Sequence, residues 1–273
     1  MGTLVCFHAH PDDEALSTGG SMARAHAEGH RVVLVVATNG EHGEMPDDLA
    51  PGETLVDRRR AETAESAAAL GIDQVVWLGY NDSGMTGWEQ NAAAESFLQA
   101  DLDDAAGRLA ETLLAEAADV LTIYDWHGNY GHPDHIQVHR VGVRAAEMVS
   151  HELPDLRVFE ATINRDAIVA MIAQAAETGV AAFGDEDDAF DPNGPADDGN
   201  PIGMAEAELT HEVDVSAYVT AKRAAISSHR SQVTDTGFFL AMSEEMFAAG
   251  FGREWFIERG RTPGMRPGWL FDE

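Results

Sequence analysis

Short apolar runs alternate with stretches of helical spacing from the first residues onward. Leu4–Phe7 is a short apolar run. Arg31–Gly40 (RVVLVVATNG) is nearly continuous in β-branched residues, as expected of a strand buried on both faces. Asp73–Tyr80 (DQVVWLGY), Asp119–Asp125 (DVLTIYD) and Leu156–Thr162 (LRVFEAT) supply three more strands. Between them the spacing predicts helices over Ala15–Ala27, Val56–Leu70 with Gly71 as C-cap, Asp101–Ala117, about Asp134–Ser150 and about Arg165–Thr178. Strands alternating with helices predict an α/β fold, a Rossmann-like parallel sheet flanked by helices, with a small C-terminal elaboration. The expected organisation is a Rossmann-like core over 1–180, an acidic loop or insertion over 181–203, and a C-terminal section over 204–273 that completes the same domain.

Ligands of such sheets bind beyond the C-terminal ends of the strands. The polar clusters follow that rule: HAHPDDE (His8–Glu14) follows the first strand, TNGEHGE (Thr38–Glu44) the second, YNDSGM (Tyr80–Met85) the third and YDWHGNYGHPDH (Tyr124–His135) the fourth. Phe183–Gly203 is acidic and rich in Gly and Pro, and reads as a mobile loop. Its carboxylates lack the spacing of an EF-hand calcium loop. Ser216–Gln232 (SAYVTAKRAAISSHRSQ) has a helix-like pattern.

Composition narrows the function classes. The 273 residues carry a formal net charge of −31, and Lys222 is the only lysine. Such a surface repels nucleic acid and anionic lipid. It reads as a solubility feature of a high-salt organism or as coding bias, with an acidic funnel for cationic ligands as the alternative. No apolar run approaches the ~20 residues that cross a bilayer, and the N-terminus lacks the pattern of a signal peptide. The single cysteine, Cys6, excludes an internal disulfide framework. A cytoplasmic location is the expectation.

Two His-Pro-Asp motifs carry the chemistry, HPDDE at His10–Glu14 and HPDH at His132–His135. Each sits at a predicted strand-to-helix junction, where Pro11 and Pro133 fix φ and suit the first helical position. Two histidines and one carboxylate form an open metal set that leaves room for water. The candidates are His10, Asp13, His132 and His135, with Asp12, Asp134 and Glu14 also in range. His8 reads as a satisfied core or rim histidine, and His139 as structural. Trp126, beside the second motif, is the tryptophan best placed for substrate contact.

HAHPDDE together with GHPDHIQVHR resembles the LmbE/PIG-L family of zinc-dependent N-deacetylases. The resemblance is closest to the actinobacterial branch that deacetylates N-acetylglucosaminyl-inositol or cleaves mycothiol conjugates. It covers Leu4 to about Arg140 well and weakens beyond. It implies zinc, with iron(II) as an in vivo alternative, held by His10, Asp13 and His135. It implies Asp12 as general base, His132 as the group that stabilises the oxyanion or serves as acid, and Tyr130 as an assisting residue. Arg59 and Asp82 match positions that hold the sugar or its polar headgroup. His229 matches a family segment on the substrate side, although a surface position is the plainer expectation. Glu14 completes the motif, and no independent argument gives it a chemical role. Asp134 is expected to orient a neighbouring histidine.

The implied activity is removal of an acetyl group from an N-acetylated amino sugar, so the expected partner is a small-molecule N-acyl amino sugar. A homo-oligomer is compatible with the sequence. The nearest rival is an amidase that cleaves a larger acyl group from a thiol conjugate. A nucleotide-binding Rossmann protein would need a G-x-G-x-x-G turn where HAHPDDEALSTGG stands. A catalytically silent metal-binding module is the remaining alternative.

Overall fold

The computed structural model describes residues 1–178, 190–232, 237 and 239–272. The strands are β1 (Thr3–His8), β2 (Arg31–Thr38), β3 (Gln74–Tyr80), β4 (Val120–Tyr124), β5 (Arg157–Thr162), β6 (His211–Asp214), β7 (Arg253–Glu258) and β8 (Arg266–Pro267). The helices are α1 (Asp13–Ser17), α2 (Gly19–Ala27), α3 (Leu55–Leu70), α4 (Leu102–Ala115), α5 (Gly128–Gly131), α6 (Pro133–Met148), α7 (Arg165–Thr178), α8 (Val219–Ser228) and α9 (Glu244–Phe251). The five strands expected from apolar runs all form, within two residues of the expected ends.

Alternate residues of β1 feed two cores. Val5 and Phe7 pack with α4 and α6 on one face of the sheet, through residues such as Leu109 and Val141. Leu4 and Cys6 pack with α2 and α8 on the other, through Met22 and Ile226. The apolar run of β2 is buried on both faces for the same reason. Local chemistry sets the helix ends. Thr54 and Asp57 form a reciprocal capping box at the start of α3, and Gly71 closes it in the left-handed region at φ 71°. Asp101 caps α4 by accepting the amides of Asp103 and Asp104.

The sheet order is β3-β2-β1-β4-β5-β7-β6-β8. The first five are mutually parallel. The expectation of a parallel sheet needs correcting beyond β5, because β7 runs antiparallel to both β5 and β6. The C-terminal section therefore extends the sheet with β6, β7 and β8, and it also supplies α9 and, inside its helix-like stretch, α8. These strands escape a hydrophobic-pattern search because they are short and charged. Their charges are paired across elements: Glu258 with Arg157, Glu254 with Lys222, and Arg253 with Glu212 and Asp214. Residues 181–189 of the expected acidic loop lie outside the described residues.

The helix expected over Ala15–Ala27 is broken at Thr18, which leaves helical geometry at φ −133° and ψ 10°. Two contacts account for the break. The Thr18 hydroxyl is 2.8 Å from His8 Nε2. Glu254 accepts the amides of Gly20 and Ser21, both at 2.8 Å, so α2 starts afresh. Lys222 Nζ lies 2.6 Å from the same Glu254 carboxylate, and both side chains are buried.

Two predictions follow from these buried groups. Removing one partner of a buried ion pair leaves an uncompensated charge, so Lys222→Met should lower the unfolding free energy by about 3 kcal/mol in guanidinium titrations. The double variant Lys222→Met/Glu254→Gln should lose less. His8 is fully buried between Tyr124 Oη (2.9 Å) and Thr18, and burial lowers its pKa to about 4. An unfolded histidine titrates near ~6.5. In the window between those values the unfolded chain binds a proton that the folded chain refuses. The contribution is complete above the unfolded pKa and shrinks as pH falls, by about 2 kcal/mol between pH 7 and pH 5. Urea unfolding of the wild type and of His8→Asn at both pH values checks this: the variant should show a smaller drop.

Candidate metal centre and its surroundings

Strand order decides where the motifs meet. β1 pairs with β2 on one side and β4 on the other, so connections leave the two central strands in opposite directions. The loops after β1 and β4 flank the crevice that results. His10–Glu14 and His132–His135 therefore converge although more than a hundred residues separate them.

The first loop is built by unusual backbone. Pro11 is not the first helical residue, as expected, but lies before the N-cap, Asp12. Asp12 adopts φ 92° and ψ −32°. A non-glycine residue there stores strain of order 1–3 kcal/mol and persists only when its surroundings hold it. Its amide donates to Glu14 Oε2 at 2.9 Å. Its carboxylate receives Arg59 Nη2 at 3.1 Å. In the second loop Pro133 does open α6, and His132 caps it. Asp125 pins this loop by accepting the amides of His127 and Asn129. Gly128, at φ 68°, passes so close to His135 that an added Cβ would lie 2.4 Å from the histidine Cβ.

The imidazoles of His10, His132 and His135 form a buried cluster whose nearest donor atoms lie within 4.8 Å of one another. A second group, His10, Asp82 and Asp134, meets the same limit. Asp13 reaches both flanking rings: Oδ2 lies 3.2 Å from His10 Nδ1, and Oδ1 lies 3.4 Å from His135 Nε2.

Hydrogen bonds fix how each ring is presented. His10 Nε2 donates to Asp134 Oδ2 at 3.2 Å, which directs Nδ1 to the Asp13 side. His135 Nδ1 donates to the Gly128 carbonyl at 3.2 Å, which leaves a lone pair on Nε2. That Nε2 is buried and has no hydrogen-bond partner, as a waiting metal ligand would. His132 is reversed. Its Nδ1 accepts the Asp134 amide at 3.1 Å, so in the neutral ring the proton sits on Nε2. Such a ring donates a hydrogen bond and does not ligate through Nε2. The donor chemistry of His10, Asp13 and His135 thus fits a small divalent cation.

The electrostatics are uneven across the cluster. Burial opposes charge on His10, but Asp82, Asp13 and Asp134 outweigh it and raise its pKa well above the ordinary value. His132 is pushed down by burial and by the neighbouring His10 and His135. Burial lifts the Asp12 carboxyl to about 7, against the pull of Arg59 and with help from Asp13. Such a value suits a group that takes up and returns a proton near neutrality.

The other expected residues lie around this cluster. Tyr130 packs its ring 5.0 Å from that of His135 and 6.2 Å from that of His132. Asp82 Oδ1 lies 3.6 Å from His10 Nε2. Arg59 is buried and donates to the carbonyls of Pro11 and Gly40 as well as to Asp12. The glycine at position 40 makes room for it, since a Cβ there would come within 2.3 Å of Nη1. Trp126 is about half exposed at the rim. His139 Nδ1 is tied to the Tyr124 carbonyl, in keeping with a structural role.

Several participants were not expected. Ser83 donates its amide and hydroxyl to Asp134, fixing the carboxylate that orients His10. Tyr124 stacks on His135 with ring centroids 4.3 Å apart. His229 is fully buried against Glu14, not on the surface. The described end of the acidic segment folds onto the second loop, where the Asp197 amide donates to the Tyr130 carbonyl and Asp198 lies 3.4 Å from His127 Nδ1. Ser83 lay within a motif and could have been singled out. The contacts of His229 and Asp198 leave no mark on local pattern.

A family model described as GlcNAc-PI de-N-acetylase (PIG-L) matches residues 5–146. A 1D-myo-inositol 2-acetamido-2-deoxy-alpha-D-glucopyranoside deacetylase of Streptomyces avermitilis is 37% identical over 286 residues, covering 98% of this chain and 96% of its own. The N,N'-diacetylchitobiose deacetylase of Pyrococcus horikoshii aligns with a TM-score of 0.59 at 20% identity, covering 94% of this chain and 83% of that one. The 4-carboxy-2-hydroxymuconate hydratase of Pseudomonas putida KT2440 aligns with a TM-score of 0.57 at 15% identity, covering 97% and 99%. At such identities these two structures show the fold alone, and their unlike activities are a reminder that a fold does not name a reaction.

Proposed function

This chain belongs to the PIG-L family of GlcNAc-PI de-N-acetylases, and on that premise we propose a metal-dependent hydrolase that removes the acetyl group from an N-acetylated amino sugar of the N-acetylglucosaminyl-inositol type. One observation carries the reading. His10 and His135 direct ring nitrogens at the Asp13 carboxylate, while the adjacent Asp12 is held apart from them by Arg59 with a pKa near neutrality.

The proposed ligands are His10, Asp13 and His135, and zinc is the proposed ion, with iron(II) as the alternative. His10 would give up its Nδ1 proton on binding it. When bound, such an ion supplies Lewis acidity to the amide carbonyl and to the attacking water. Asp12 accepts the proton of that water and later delivers it to the departing sugar amine. The backbone turn that separates Asp12 from Asp13 lets two adjacent carboxylates do different work. His132, with its proton on Nε2, donates to the oxyanion that forms when the carbonyl is attacked. Tyr130 assists from the same side. A donor of this kind contributes about 3–4 kcal/mol to the transition state. Arg59 and Asp82 border the position of the sugar, and Arg59 also holds Asp12 in place. The products are acetate and a protonated amino sugar.

The decisive experiment is acetate release from a panel of N-acetyl sugars, N-acetylglucosaminyl-inositol among them, with metal-stripped and metal-restored protein. Activity should vanish on stripping and return with zinc or iron(II). Asp12→Asn should keep its metal and lose about 10²–10⁴-fold in kcat. Acetate from none of the sugars, with turnover of bulky acyl donors instead, would favour the larger-acyl amidase. Metal competition titrations test the ligand set. His135→Ala should weaken zinc binding by more than about 100-fold, beyond what loss of an orienting residue produces. His132→Ala should keep one ion per chain and lose kcat. The opposite pattern would exchange the two roles.

A further inference from the structure

Glu14 takes no part in the proposed chemistry, yet it is buried completely. Its Oε1 accepts Ser66 Oγ at 2.5 Å and His229 Nε2 at 2.7 Å, and its Oε2 accepts the Asp12 amide at 2.9 Å. A carboxylate brought into the interior is expensive even when paired, and an apolar side chain of similar volume would fill the space at less cost. An apolar side chain could not hold an amide. The amide in question belongs to the residue with the left-handed backbone, Asp12 at φ 92°. The partner that holds Glu14 comes from the far end of the chain: His229 follows the last residue of α8, 215 positions away, and is itself fully buried.

We infer that Glu14 and His229 act together as positioning residues for Asp12. Glu14 grips the Asp12 main chain from one side, while Arg59 grips the carboxylate from the other. His229 fixes Glu14, so the orientation of the base depends on α8 being docked. The inference rests on the reading of Asp12 as proton acceptor. It extends that reading by giving the C-terminal section a share in the geometry of the site. Neither residue touches the substrate in this scheme, and both act through Asp12.

The test compares Glu14→Ala, His229→Leu and His229→Gln in the metal-loaded enzyme. The glutamine amide keeps a donor toward Glu14 and keeps the test valid where the leucine variant fails to fold. Misplacing a reacting group by about an ångström lowers rates by about 100-fold. Glu14→Ala and His229→Leu should therefore lose roughly 10–100-fold in kcat, with KM within about threefold of wild type and one metal per chain retained. His229→Gln should recover most of the loss. The double variant Glu14→Ala/His229→Leu should be no worse than Glu14→Ala alone, as for two residues acting as a unit. A crystal structure of Glu14→Ala should show Asp12 outside the left-handed region. Unchanged kcat with Asp12 in its present conformation would overturn the inference, and so would loss of metal in step with loss of activity. A wild type that releases no acetate would defeat the hydrolase reading instead. The Asp12 conformation in Glu14→Ala crystals would then still decide whether Glu14 positions it.

Discussion

Between β1 and β4 the sheet reverses the direction of its connections, and the two His-Pro-Asp motifs of the site hang from that reversal. Each of the two strands ends in a loop that carries one of the motifs, and the described end of the acidic segment packs on the second. The crevice between them is lined by the ends of buried strands, so the groups that project into it are taken out of water from the outset. Burial is what makes the chemistry available. It raises Asp12 toward neutrality and keeps His132 from carrying charge. The Asp12 carboxylate would titrate in the ordinary acidic range on the surface of this protein.

Burial also creates a debt of unpaired polar groups, and the molecule meets it with long-range pairs. Ser83 holds Asp134, Arg59 holds Asp12, His229 holds Glu14 and Lys222 holds Glu254. None of these pairs is local in sequence. Two of the four supporting partners lie on α8 or directly after it. The C-terminal section is thus continuous with the site in physical terms, both as strands of the same sheet and as a source of counter-charge beneath the first motif.

The division between what could be read in advance and what could not follows from the range of the interactions. Strands buried on both faces announce themselves as β-branched runs, and β1 to β5 were legible for that reason. The two His-Pro-Asp motifs were legible because proline and ligand spacing act within four or five residues. β6, β7 and β8 were not, because their charged residues are neutralised only by partners on other elements. The break at Thr18 was hidden in an unbroken helical pattern, since its cause is a histidine ten residues earlier and a glutamate from β7. Glu14 looked idle until its partner from α8 was in view. Arg59 stood out only by resemblance, as a sugar contact. Its bonds to Asp12 and to the carbonyls of Pro11 and Gly40 depend on three segments meeting.

The pairing of Lys222 with Glu254 reaches beyond stability. Lysine occurs once in the chain, and here its ammonium is sealed beneath α8. The folded surface then presents positive charge through guanidinium and imidazole groups, together with the α-amino terminus. Guanidinium groups stay protonated and are poor nucleophiles. Acylating, carbamylating and glycating reagents, which seek a free side-chain amine, find none on the native molecule. Amide formation on the exterior, the reverse of the reaction the interior is built to perform, is thereby confined to the exposed α-amine of Met1.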